Sequence, residues 1–170
     1  MLLFRIDFRL RRRILGLLFV TLVLFTLSGC SIFRSHSIEG YTPVDYDGSK
    51  GSLVLKTAMT QVGIPYSYGK ATPYKGFDCS GLIWWAYKEH GKKLPRHTSR
   101  QAKVGKSVRL GQSRQGDIVV FRFGKRLHTG LMADKNRFLH APSSGGYVRL
   151  ESIKKVYWKN RLVSIRRVFP

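Results

Sequence analysis

The sequence predicts an α+β fold in which N-terminal helices pack on an antiparallel sheet. Three observations carry this. Helix-like apolar spacing is confined to the first part of the domain, before Gly116. Beyond Gly116 the apolar residues cluster in short runs separated by turn residues, the pattern of strands. The chain has 170 residues and 43% hydrophobic content, enough for one well-cored domain and too few for two.

In the first helical stretch, Leu53, Val54, Ala58, Met59 and Val62 form a stripe closed by Gly63. Pro65-Tyr66-Ser67-Tyr68-Gly69 then opens a loop that runs to Gly76. The second helix is predicted from Phe77-Asp78-Cys79-Ser80-Gly81-Leu82-Ile83-Trp84-Trp85. Asp78 is the expected N-cap, because its short carboxylate can accept from first-turn amides, and Gly91 is the expected stop. Leu94 to Gln101 reads as a loop entering a short helix. The predicted strands are Asp117 to Phe121, Leu127 to Ala133, Arg137 to Ala141, Tyr147 to Leu150 and Arg161 to Phe169.

The N-terminus reads as an address, not a fold element. Arg5, Arg9 and Arg11 to Arg13 precede an apolar run from Ile14 to Leu27. That run is shorter than the roughly 20 residues a spanning helix needs and fits a signal peptide. It ends in Leu27-Ser28-Gly29-Cys30, which resembles the lipobox of bacterial lipoproteins. Residues 1–29 are then the signal peptide and Cys30 the lipid anchor, while 30–50 form a polar tether with a coil reach of about 25 Å. The catalytic or binding domain is expected to span 51–170. Removing the signal lowers the formal charge from +22 to +18. Such a surface suits a polyanionic neighbour. The basic residues are dispersed and no nucleic-acid-binding motif occurs, so nucleic acid is not the expected partner.

The chain has two cysteines. With Cys30 committed to lipid, Cys79 is a lone thiol in an exported domain, a liability unless its reactivity is wanted. At a helix N-terminus its pKa is expected to fall below the free value, favouring thiolate. A small buried core cysteine is the competing reading. Among the five histidines, His36, His90 and His97 fall in the tether, at a helix end and in a loop. His128 and His140 lie in the strands flanking Asp134-Lys135-Asn136. A three-residue loop sets Gly130 opposite His140, and any odd loop length leaves His128 and His140 diagonal on one face. One imidazole could take the thiol proton while the other orients it. Ordinary strand histidines, or a Cys/His₂ zinc site, are the alternatives at this stage.

Asp78-Cys79-Ser80-Gly81, Leu94-Pro95-Arg96, Gly116 to Phe121, His128-Thr129-Gly130-Leu131 and Phe138-Leu139-His140-Ala141 occur in that order. Together they resemble the motifs of the NlpC family of bacterial cell-wall cysteine peptidases, over roughly Gly51 to the C-terminus. The resemblance implies a papain-like core with Cys79 as nucleophile, His128 as general base and His140 as its orienting residue. It also implies Tyr66 beside the oxyanion hole, and Asp78 and Ser80 near the bound peptide. Lys70 stands where the family usually has glycine, and is expected to alter the substrate groove. No cofactor, metal or obligate protein partner is implied. The expected substrate is peptidoglycan, cut at γ-D-glutamyl–diaminopimelate or D-alanyl–diaminopimelate bonds. A non-catalytic wall-binding lipoprotein and an amidase or acyltransferase on the same fold are the alternatives. Ser31 after Cys30 resembles lipoproteins of the outer membrane, facing the periplasm where the source has two membranes.

Overall fold

The computed structural model describes residues 44–143 and 146–170. The signal segment, Cys30 and the tether up to residue 43 lie outside the described residues. Among the described residues no helix is long and apolar enough to cross a membrane.

The first helix, α1 (Lys50–Met59), starts where the Ser49 hydroxyl accepts from the Ser52 amide at 3.1 Å, and it buries Val54, Leu55 and Ala58. Two short strands follow, β1 (Ala71–Thr72) and β2 (Gly76–Phe77), paired as a hairpin within the expected loop. Helix α2 (Cys79–Glu89) buries Leu82, Ile83, Ala86 and Tyr87. It ends as predicted. Gly91 takes a positive φ of 70°, and the Lys92 amide returns to the Tyr87 carbonyl at 3.0 Å. Truncating a fully buried side chain such as Leu82 to alanine would cost about 2–5 kcal/mol. A four-residue helix, α3 (Thr98–Gln101), completes the helical part.

The sheet has six antiparallel strands: β3 (Lys106–Val108), β4 (Ile118–Phe123), β5 (Arg126–Met132), β6 (Arg137–His140), β7 (Arg149–Ser152) and β8 (Leu162–Arg167). Their order is β3-β8-β4-β5-β6-β7. A one-turn helix, α4 (Val156–Lys159), lies between β7 and β8. The α+β expectation holds.

Strand β4 reads Ile-Val-Val-Phe because it is central and covered on both faces. Ile118 and Val120 join Leu131, Leu139 and the α1 and α2 side chains in one core. Val119 and Phe121 face the other way, with Met132, Phe138, Ile153, Trp158 and Ile165. Tyr87 ties the two layers together, its hydroxyl donating to the Gly116 carbonyl at 2.7 Å.

Two boundaries differ from expectation. Val44 is buried and Tyr46 packs on the helix-side core, so the domain begins near Val44 and not at Gly51. Polar neighbours along 44–49 hide this contact from any reading of periodicity. The strand expected at 147–150 pairs instead over Arg149–Ser152, where Leu139 opposes Leu150.

Candidate active site

Cys79 opens α2 and is part-exposed. The preceding residue caps the helix: Asp78 Oδ1 accepts from the Gly81 amide at 2.6 Å and Oδ2 from the Gly69 amide at 3.0 Å. Arg96 grips the same carboxylate with both terminal nitrogens, each at 2.8 Å. It also donates to Ser80 Oγ and to the Lys70 carbonyl, each at 3.0 Å. Gly81 is required here, because a Cβ would stand 2.2 Å from the Lys70 carbonyl oxygen. Burial alone would raise the Asp78 carboxyl, but the Arg96 guanidinium and the Gly81 amide outweigh it and hold it below the usual carboxylate range. Asp78 and Ser80 therefore sit beside Cys79 in a closed charge network. Lys70 contributes its backbone to that network; its side chain is exposed and does not line the cleft.

The histidines come from β5 and β6. Leu131 pairs with Leu139 and Met132 with Phe138, which continues to Gly130 opposite His140, the expected register. Gly130 permits the close approach: a Cβ would meet the Leu139 carbonyl and the Phe138 ring, each at 2.8 Å. His128 and His140 share one face, with His128 Nε2 and His140 Nδ1 2.8 Å apart. Both are buried. Burial drives the His128 pKa down to about 4. His140 falls to about 2 through burial, with His128 and Arg149 acting in the same direction. Near neutral pH both rings are uncharged.

The sulfur and the rings approach one cleft from different sides. By the alternation of β5, Thr129 points to the helical layer while His128 and His140 point to the aromatic one. Thr129, through its backbone amide and its hydroxyl, acts to lower the Cys79 pKa. Cys79, His128, Tyr66 and Asp78 all line a cleft of about 1210 Å³. With His128 Nε2 engaged by His140, Nδ1 is the ring nitrogen left without that contact.

The thiol pKa departs from expectation in direction. Burial pushes it above its ordinary value; the Thr129 amide opposes this, and the Asp78 carboxylate adds to the rise. Tyr66 is half-buried, and its hydroxyl pKa is likewise raised by burial and then by Cys79 and Asp78. Burial thus favours the uncharged forms of the thiol and of both imidazoles. Among the described residues no three His, Cys, Asp or Glu side chains converge as metal ligands.

Residues 63–167 match the NlpC/P60 family. The chain belongs to the NlpC/P60 family. The murein DD-endopeptidase and LD-carboxypeptidase MepS of Escherichia coli is 41% identical over 108 residues, which is 62% of this chain and 56% of that protein. The γ-D-glutamyl-L-lysine dipeptidyl-peptidase of Bacillus subtilis is 30% identical over 145 residues, 82% of this chain and 49% of that protein. The chain thus spans about half the length of these curated relatives. Among solved structures, a lipoprotein-like NLP/P60 protein of Staphylococcus aureus superposes with a TM-score of 0.64 at 29% identity, covering 76% of this chain and 44% of that one. The NlpC/P60 fold expectation stands.

Four site residues had no role in the sequence reading. Arg96 was visible in Leu94-Pro95-Arg96 without a partner. Gln101 is buried and donates to the Ser80 carbonyl at 3.0 Å and the Pro95 carbonyl at 2.9 Å, and the Thr129 hydroxyl donates to its Oε1 at 3.3 Å. Thr129 meets the thiol, and Trp158 walls the histidines. Arg96 and Thr129 lie in motif stretches but show no partner there, and Gln101 and Trp158 have no local signal, since each acts across the fold.

Proposed function

We propose that this NlpC/P60 protein is a peptidoglycan endopeptidase that hydrolyses stem-peptide or cross-link amides through Cys79, His128 and His140. The observation that carries the reading is the cleft shared by Cys79 at the head of α2 and the His128–His140 pair at 2.8 Å. His128 Nδ1 takes the thiol proton as Sγ bonds to the carbonyl carbon. The oxyanion lies at the N-terminus of α2, where the Cys79 amide has no intrahelical acceptor and Tyr66 supplies a hydroxyl. The imidazolium then gives its proton to the leaving amine, and water, deprotonated by His128, resolves the thioester to acid and free thiol.

The cleft walls favour a carboxylate-bearing peptide. Arg96 is matched by Asp78, and Arg149 and Lys155 share Glu151. Arg122, Lys125 and Arg126 also line the cleft and form no ion pair among the described residues. The target bonds in this reading are γ-D-glutamyl–diaminopimelate or D-alanyl–diaminopimelate. Lipid on Cys30 would hold the enzyme at the cell envelope, on the periplasmic side of an outer membrane where one exists.

Purified sacculi digested with the wild type and with Cys79→Ala test the activity. Mass spectrometry of the soluble products should show stem-peptide cleavage only with the wild type; indistinguishable muropeptide profiles would remove the enzymatic reading. Cys30→Ala should move the protein from the membrane to the soluble fraction.

A further inference from the structure

His140 Nε2 is buried and has no hydrogen-bond partner. A buried polar atom left alone in a site this ordered requires a physical reason. A neutral imidazole carries one N–H and one lone pair, so the 2.8 Å contact between His128 Nε2 and His140 Nδ1 can be made in two ways. In the first, His128 donates from Nε2. His140 then accepts at Nδ1, carries its own proton on Nε2, and His128 keeps a free lone pair on Nδ1. In the second, His140 donates from Nδ1. Its Nε2 is then a bare lone pair, and His128 holds its proton on Nδ1, where it cannot accept another. Only the first arrangement leaves a base for the thiol.

What surrounds His140 distinguishes the two. The Trp158 ring lies 5.0 Å from the His140 ring with the planes at 84°, and Phe138 lies 5.0 Å away at 49°. An aromatic face is electron-rich, so it attracts an N–H and repels a lone pair. We propose that Trp158 is a positioning residue whose indole face receives the His140 Nε2–H, fixing the tautomer that leaves His128 Nδ1 open to the thiol proton.

Trp158 is held for this task. It is 7% exposed, sits on α4, and packs against Phe121 at 4.8 Å and Phe138 at 4.9 Å. It also stands 5.8 Å from the His128 ring, within the roughly 6 Å over which an aromatic ring stabilises a cation. When the proton passes from Sγ to His128 Nδ1, the imidazolium forms beside the same ring. His140 gains and loses nothing in that step; its Nδ1 accepts throughout.

The inference rests on the catalytic reading of Cys79 and His128, but its first test does not. Long-range ¹H–¹⁵N correlation spectra of the full chain, labelled with ¹⁵N-histidine, report each ring's tautomer. The expected result is the Nε2–H form for both rings, with the His140 Nε2 proton shifted upfield by the indole ring current. A His140 ring protonated on Nδ1 overturns the proposal. Trp158→Phe keeps an aromatic face and should retain the tautomer and a kcat within about threefold. Trp158→Leu should populate the second tautomer and lower kcat at least tenfold with KM little changed. A folded Trp158→Leu protein with wild-type tautomers and kcat also overturns it, and should that variant not fold, the wild-type and Trp158→Phe spectra decide. If instead Cys79→Ala cleaves sacculi normally, the catalytic reading fails while the tautomer result stands by itself.

Discussion

Two polar clusters, one part-buried and charged and one buried and neutral, flank Cys79 and solve the same problem differently. On one side, Asp78, Ser80 and Arg96 form a charged knot in which both carboxylate oxygens are bonded and the charges match. On the other, His128 and His140 are uncharged, share one short contact, and leave a nitrogen against aromatic rings. A matched ion pair resists any change of protonation, so the first cluster holds shape. A desolvated neutral pair can gain a proton for a moment and lose it again, which is what a general base does. In the proposed mechanism the first cluster holds shape and the second carries the proton.

The largest contrast should appear in activity. His128→Ala is expected to lower kcat/KM at least about 1,000-fold and His140→Ala about 10- to 100-fold, with melting temperatures near the wild type. Muropeptide release and thermal unfolding on the same samples would check both.

The knot should fail in the opposite sense. Arg96→Ala strands the Asp78 carboxylate and should cost about 3 kcal/mol, read as a melting temperature lower by about 10 °C. Adding Asp78→Asn should restore part of that loss, since the stranded charge is then gone.

Acidification separates the clusters further. The folded-state pKa of His128 lies near 4, below its ordinary 6.5, and that of His140 near 2. Between those values the unfolded chain binds protons that the folded chain refuses, so stability falls as pH drops below 6.5. From pH 7 to pH 5 each ring should cost about 2 kcal/mol. Urea midpoints at the two pH values should differ less for His128→Gln than for the wild type. The smallest effect is expected at Gln101, where Gln101→Leu removes donors to the Ser80 and Pro95 carbonyls and should cost about 1–2 kcal/mol with a few-fold loss of kcat.

The histidine pair was legible because parity decides it. Alternation along β5 and β6 and a three-residue loop leave one register that buries Leu131 and Leu139 together, and that register sets His128 diagonal to His140. The Asp78 cap and the Gly91 stop were legible for a similar reason, being fixed within one helix. Strands of two or three residues, β1, β2 and β3, are too short to show a period. The four residues of α4 carry no helical signature, and the rings around Trp158 are gathered from strands distant in sequence. The direction of the Cys79 shift was missed because a helix terminus is local while burial is tertiary. The signal segment and Cys30 anchor lie outside the described residues.

Covalent catalysis by Cys79 is tested most directly by intact-mass spectrometry of the protein mixed with purified muropeptides and quenched in acid within the first turnovers. The expected product is an adduct equal in mass to the acyl fragment of the cleaved stem, mapped by peptide digestion to Cys79 and absent from Cys79→Ala. Hydrolysis that proceeds at the wild-type rate with no adduct on Cys79, or that survives its replacement by alanine, would contradict it.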